Sequence, residues 1–166
     1  MPRREGRAAL EAPASRLPRV RVAALIVVDD KIVVVRQRKG ADAYYLLPGG
    51  GVQLFETIAD ALRREVAEET GLLVEPDRPL FINDTIDPGG SRHVINLTFL
   101  CSVLGGELLA EPGDATIDAV ELVDPQSLVT LDFRPPIAHQ ILQACRERFR
   151  SPARYLGPVW IPESHA

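Results

Sequence analysis

Between Thr57 and Gly71 the chain reads TIADALRREVAEETG, and this stretch restricts the fold more than any other. At ~100° per residue, Glu65, Glu68 and Glu69 share one sector of a helix surface. Ile58, Ala59, Leu62 and Val66 form the neighbouring sector, so packing that apolar stripe on a sheet would leave three carboxylates at the rim of the contact. The ends agree with a helix. Thr57 followed by Asp60 resembles a capping box with a shorter acid, Glu56 stands beside the positive end of the dipole, and Gly71 suits a left-handed C-terminal cap. The spacing predicts a helix over residues 57–70.

Three carboxylates within two turns repel one another, and a cation removes that cost. Hard divalent ions such as Mg²⁺ or Mn²⁺ take oxygen ligands and share them with substrate phosphates, so the cluster suits a metal–phosphate substrate. A Glu-rich helix alone is more often a solvated face. What sharpens the reading is Pro48-Gly49-Gly50-Gly51 just upstream, a run that is neither helix nor strand and lets a ligand approach the backbone.

Together these residues resemble the Nudix box: Gly50, Glu56, Arg64, Glu65, Val66, Glu68, Glu69, Gly71 and Leu72 fill every specified place of its pattern. The resemblance implies an α/β/α sandwich with a mixed β-sheet between helices. It implies hydrolysis of the diphosphate in a nucleoside diphosphate linked to another moiety, giving a nucleoside monophosphate and a phosphorylated product. Glu65, Glu68 and Glu69 are then the expected metal ligands for Mg²⁺ or Mn²⁺, with the Gly49 carbonyl as a further ligand. Arg64 would orient the glutamates, Glu56 would be a structural or outer acid, and Gly50 would line the substrate site. Family comparison also makes Arg36, with Arg38 beside it, the candidate contact to the substrate diphosphate; of the two tyrosines on the following strand, Tyr45 is the candidate wall of the nucleotide pocket. A further acid of the family falls among Glu111, Asp114 and Asp118, with no choice between them. Gln53 and Phe55 stand where an acid and a glycine are commoner. Pro88, sixteen residues after Leu72, resembles a marker of ADP-ribose pyrophosphatases, which places ADP-ribose or a sugar nucleotide ahead of other substrates. The alternatives are a house-cleaning nucleoside triphosphate pyrophosphohydrolase and a regulatory module that binds a nucleotide without cleaving it.

The 166 residues allow one domain with tails, and 46% hydrophobic residues suffice for a core. The tails are residues 1–18, rich in Arg and Pro, and residues 151–166, expected to pack on the domain or on a partner subunit; the domain is 19–150. A net charge of −4 gives no electrostatic ground for general nucleic-acid binding, so the expected partner is a small nucleotide. No apolar run has the length of a membrane span or a secretory signal, which makes the cytoplasm the default compartment. Cys101 and Cys145 read as free thiols. Family analogy adds a homodimer.

Elsewhere, Val20 to Val28 and Ile32 to Val35 read as a hairpin about Asp29-Asp30, with Arg36 to Lys39 leaving the sheet. Tyr44 to Leu47 is a short strand whose two tyrosines should face opposite ways. Leu72 to Val74 begins an extended piece interrupted at Pro76 and Pro79; Leu80 to Ile86 and Val94 to Val103 form a hairpin about residues 87–90. His93 beside it reads as a surface or packing residue before a ligand contact. Gly105-Gly106 reads as a turn, Ala119 to Val123 as a strand, and Ile137 to Cys145 as a second helix whose end is made basic by Arg146, Arg148 and Arg150.

Overall fold

The computed structural model describes residues 17–109 and 115–160. The arginines expected in the N-terminal tail (Arg3, Arg4, Arg7 and Arg16), the candidate acids Glu111 and Asp114, and the last six residues of the C-terminal tail lie outside these. In chain order the elements are β1 (Arg19–Val28), β2 (Lys31–Lys39), β3 (Asp42–Leu46), α1 (Ile58–Thr70), β4 (Leu72–Ile86), β5 (His93–Gly106), β6 (Ile117–Val123), a 3₁₀ turn (Ser127–Thr130), α2 (Ala138–Arg146) and β7 (Arg154–Pro158).

The strands run in the order β3-β2-β1-β5-β4-β7, with β6 also paired to β2. The β1–β5 and β4–β7 pairs are parallel and the others antiparallel, so the sheet is mixed. Helices cover both faces. On one, α1 buries Ala61, Leu62 and Val66 against Val22, Ala24 and Ile26 of β1; on the other, Ile137, Ile141 and Ala144 of the α2 region meet Ala23, Leu25 and Phe81. A strand buried on both sides needs a continuous apolar run, and Val22 to Ile26 supplies it. Full burial of Leu62 contributes about 1.5–3 kcal/mol.

The β1–β2 hairpin closes through Asp29 and Asp30, both at positive φ (50° and 61°), as a two-residue primed turn requires. Its strands then part, with only Val27 and Val28 of β1 paired to β2. The glycine loop fills the space beside the rest of β1: the Val22 N–H donates to the Gly50 carbonyl (2.9 Å), the Ala24 N–H to Pro48 (2.8 Å) and the Val52 N–H to Val20 (3.1 Å).

Several expectations change. Arg36 to Lys39 do not leave the sheet; they are the end of β2, paired to β3. Pro76 and Pro79 do not interrupt β4, because the register shifts beside them absorb residues with no N–H to give the ladder. Gly105 and Gly106 pair with Leu73 and Leu72 instead of turning. On α1, Ala61 and Thr70 are buried, whereas Ile58 is 38% exposed. The chain leaves α2 after Arg146, since Arg148 and Phe149 are left-handed (φ 50° and 55°), so Arg148 and Arg150 are not part of the helix end. Residues 154–158 of the C-terminal segment form β7, the strand beside β4. No helix among the described residues is long and apolar enough to cross a membrane.

Candidate active site

α1 starts and stops where its sequence directs. The Thr57 hydroxyl accepts from the Asp60 N–H (3.1 Å) and donates to the Asp60 carboxylate (2.6 Å), so the reciprocal bond goes to the hydroxyl rather than to the backbone of the cap residue. Gly71 (φ 78°) ends the helix with its N–H on the Ala67 carbonyl. Both caps hold the acidic face at a fixed height against the glycine loop.

That face is less uniform than its spacing suggests. Glu69 is only 5% exposed, within the structure rather than at its rim, and its Oε2 accepts the Gly49 N–H at 2.8 Å. Glu65 lies against Gly50, where an added Cβ would stand 2.4 Å from its carboxylate. The side chain of Glu68 is 60% exposed. Three convergent carboxylates are therefore not what the side chains form, and among the described residues no three His, Cys, Asp or Glu stand in a metal-holding group. The physical reason is mutual repulsion, which sends each carboxylate to its own donor: Glu69 to a backbone N–H, Glu65 to Arg64 at 2.7 Å, Glu68 to solvent and a long 3.4 Å contact with Arg64. As a donor set the three acids still suit a hard divalent cation, being all oxygen and within two turns.

Arg64 is the hub. Beyond Glu65 and Glu68 it donates to Glu56 through Nε (2.7 Å) and Nη2 (2.9 Å) and reaches the Gly51 carbonyl at 3.3 Å. Its pKa is pushed up, chiefly by Glu56. In return, Arg64 and the Gln53 N–H pull the Glu56 carboxyl down to about 2. The strongest arginine pairing is thus with Glu56, eight residues back, not with Glu68 four residues on. Gly49 has φ 144°, and a Cβ there would stand 2.1 Å from the Val22 carbonyl oxygen; only glycine lets the loop lie on β1. The Gly49 carbonyl accepts from Arg21 at 3.0 Å.

Beside this loop a cavity of about 380 Å³ opens, with Gly49, Gly50 and Gly51 in its wall. Its cations are Arg19, Arg21, Arg92 and Arg134. Arg36 and Arg38 are not among its lining residues. Both point to the other side of β2, where Arg36 pairs with Asp118 (2.7 Å) and Glu121 (2.8 Å), and Arg38 with Asp118 (3.0 Å). Tyr45 and Asp118 hydrogen bonds raise the Arg36 pKa, and Arg38 and Arg36 lower that of Asp118. Alternation along β3 decides the tyrosines as well. Tyr45 packs on the α2-side core, whereas Tyr44 lines the cavity, its hydroxyl 2.6 Å from Gln37 and its ring under the Arg134 guanidinium at 4.6 Å. Of the residues expected to contact substrate, Arg36, Arg38 and Tyr45 are thus absent from the cavity lining, which holds Arg21, Arg134 and Tyr44 instead.

Sequence reasoning could have found one of these. Arg19 and Arg21 alternate with Val20 and Val22 at the start of an apolar strand, placing two cations on one face. Arg21 is half-buried and donates to the carbonyls of Leu47 and Gly49, both at 3.0 Å; burial lowers its pKa, opposed by the charges of Glu69 and Glu65. Arg92, Arg134 and Trp160 enter from three distant segments and carry no local signal. His93 sits outside the cavity lining with its ring 3.1 Å from Asp84, a packing role. Cys101 and Cys145 are free thiols, both pushed up by burial, to about 12 and about 11.

Against known proteins, the NUDIX domain model matches residues 17–145. An ADP-ribose pyrophosphatase of Methanocaldococcus jannaschii is 36% identical over 117 residues, covering 70% of this chain and 68% of that protein. Among solved structures, a NUDIX hydrolase from Nitrosomonas europaea superposes with TM-score 0.70 at 25% identity, covering 82% of this chain and 93% of the other. An ADP-ribose pyrophosphatase from Streptococcus suis gives 0.63 at 28%, covering 87% and 100%.

Proposed function

Because the chain belongs to the NUDIX domain family and is a Nudix pyrophosphohydrolase with that family's α/β/α sandwich, we propose that it hydrolyses a nucleoside diphosphate linked to a sugar or similar moiety, ADP-ribose first among them. The products would be a nucleoside monophosphate and a phosphorylated second fragment. One observation carries the reading: Glu65 and Glu69 both abut the glycine loop that walls a cavity rich in arginine. The ADP-ribose preference draws support from the 36%-identical relative and from Pro88 in the β4–β5 turn.

Members of this family generally use a divalent metal ion. For this chain we assign Mg²⁺ or Mn²⁺ to Glu65, Glu68 and Glu69; once bound it supplies charge neutralisation at phosphate oxygens and a lowered pKa for attacking water. The chain's own residues do the rest. Arg64 orients Glu65 while Glu56 holds Arg64 in place, an outer network of the kind that fixes ligand geometry. Gly50 keeps a Cβ out of the space that the Glu65 carboxylate occupies, and Gly49 lets the loop lie against β1. Arg21, fixed on two carbonyls, sets a positive charge beside that space. The Gly49 carbonyl keeps only one lone pair for a metal, since Arg21 takes the other.

The test is a panel of ADP-ribose, UDP-glucose and nucleoside triphosphates, each with Mg²⁺ or Mn²⁺, with products resolved by chromatography. AMP and ribose 5-phosphate from ADP-ribose support the reading. Pyrophosphate from a triphosphate alone replaces it with the house-cleaning activity, and tight binding with no turnover of any member replaces it with a binding module.

A further inference from the structure

The cavity spreads its positive charge further than a diphosphate reaches. Four arginines line it, and among the described residues no Asp or Glu does, although the chain as a whole carries −4. Arg134 is matched by Asp132 (2.6 Å), and Arg21 is fixed on backbone carbonyls near Glu65 and Glu69. Arg19 and Arg92 have no carboxylate partner among the described residues, and Arg92 raises the positive potential at Arg21.

Their placement follows from strand register. Arg21 stands opposite Asn96 and Arg19 opposite Val94, and Arg92 comes two residues before Val94, just ahead of β5. Asn96, at the Arg21 level, and Arg92 are four residues apart, at most about 13 Å at ~3.3 Å per residue of extended chain. The phosphorus atoms of a diphosphate lie closer together than one two-residue step of about 7 Å. A diphosphate beside Arg21 and the glycine loop leaves the outer step of this ladder unmatched.

From this ladder we infer that Arg19 and Arg92 form a second anion subsite, and that the substrate carries a further phosphate on the moiety lying outward in the cavity, separate from the diphosphate that is cleaved. The inference rests on the hydrolytic reading above and narrows its substrate class. Charge-assisted bonds from arginine to phosphate supply the preference; Arg19 and Arg92 are exposed, and a neutral sugar in the same place offers neither of them such a bond. Trp160 and Val159, delivered by β7 through the Val159 N–H to Asp84 carbonyl bond (2.7 Å), are part of the same cavity lining and restrict solvent there.

The experiment compares KM for ADP-ribose, ADP-ribose 2′-phosphate, ADP-ribose 1″-phosphate and ATP, and measures equilibrium binding of the same four by calorimetry. One of the two phosphorylated ADP-riboses should bind about tenfold or more tightly than ADP-ribose, and its position tells which end lies outward. Arg92→Ala should weaken that nucleotide about fivefold more than it weakens ADP-ribose, with Arg92→Lys between the two. A preference for ATP alone overturns the separate subsite in favour of a contiguous triphosphate. Equal affinity for ADP-ribose and both derivatives, or equal losses in Arg92→Ala, overturns it outright. If the four nucleotides are not hydrolysed but the calorimetric preference and its loss in Arg92→Ala are seen, the subsite stands and the hydrolytic reading falls; turnover without preference has the opposite meaning.

Discussion

The acidic half of the site comes from one continuous stretch, residues 49–71, whereas the cationic half collects Arg19 and Arg21 from β1, Tyr44 from β3, Arg92 from the β4–β5 turn, Arg134 from before α2 and Trp160 from after β7. The first half is internally satisfied: Arg64 joins Glu56, Glu65 and Glu68 in one network, and Gly49 holds Glu69. The second keeps unmatched charge and depends on the whole sheet for its assembly. The carboxylates proposed as metal ligands are thus built locally, and the cavity proposed for the substrate is built from segments that can change independently of one another.

The largest break in this contrast is expected at Glu69. Glu69→Gln keeps an acceptor for the Gly49 N–H, so the fold is retained, yet it removes a charge facing the loop. A fall in kcat/KM of about 100-fold or more is expected, the scale seen when groups around a catalytic metal are altered. Steady-state assays on ADP-ribose check it, and a value within threefold of the parent would remove Glu69 from the proposed ligand set.

Adjacent glycines separate stability from activity. A Cβ at Gly49 meets the backbone carbonyl of Val22 at 2.1 Å, and at φ 144° it is strained besides, so Gly49→Ala should lose about 1–3 kcal/mol in denaturant melts. At Gly50 the obstacle is the end of a movable side chain, the Glu65 carboxylate at 2.4 Å. Gly50→Ala should therefore melt close to the parent while losing most of its turnover. Equal stability losses in the two variants would contradict the placement of Glu65.

The same contrast explains what the sequence made legible. Helix limits, caps, the box and the two free thiols follow from interactions within a few residues, and they read correctly from Thr57, Asp60 and Gly71. The sandwich followed by resemblance. The face that Arg36 and Arg38 occupy was not legible, because a basic pair at the end of a strand says nothing about it; Asp118 and Glu121, eighty residues on, settle that. Tyr44 and Tyr45 were known to oppose one another, but which faced the cavity depended on the pairing of β3 with β2. Pro76 and Pro79 looked like breaks because the bulges that accommodate them arise only when β5 is alongside. The convergence of Glu65, Glu68 and Glu69 was a statement about Cα positions, and their side chains answered to Arg64 and Gly49 instead.

A smaller effect is expected where β7 is held. The Asp84 carboxylate accepts from the Tyr155 hydroxyl at 2.6 Å and lies 3.1 Å from the His93 ring, and these bonds, Tyr155 first, hold its pKa below the ordinary aspartate value. A lowered folded-state pKa stabilises above the ordinary range and is lost as pH falls through the folded value. Asp84→Asn should be less stable than the parent at pH 7, and the gap should narrow below the ordinary aspartate range, read from urea melts at pH 7 and pH 3. Because β7 carries Val159 and Trp160 to the cavity, the variant should also raise KM more than it lowers kcat. A pH-independent gap would mean that the carboxylate charge contributes nothing there.

The smallest effect tests whether the acidic half is as self-contained as its network suggests. Glu56 is the acid that Arg64 grips most closely, and its carboxyl lies at about 2 in place of the ordinary 4.5. Its contribution is complete above 4.5 and fades as pH falls from there toward 2. Glu56→Gln should therefore differ from the parent by a constant amount between pH 8 and pH 5 and converge on it in stronger acid, by thermal melts across the series. The pair is part-buried, so 0.5 M salt should shrink the constant part only slightly. Freed from Glu56, Arg64 is left with Glu65 and Glu68 as its carboxylate partners, so the variant should need more Mg²⁺ for half-maximal rate. A stability difference with an unchanged Mg²⁺ requirement would make Glu56 a brace for the loop alone. A raised requirement with no stability difference would mean that its whole purpose is to keep Arg64 off the glutamates proposed to hold the ion.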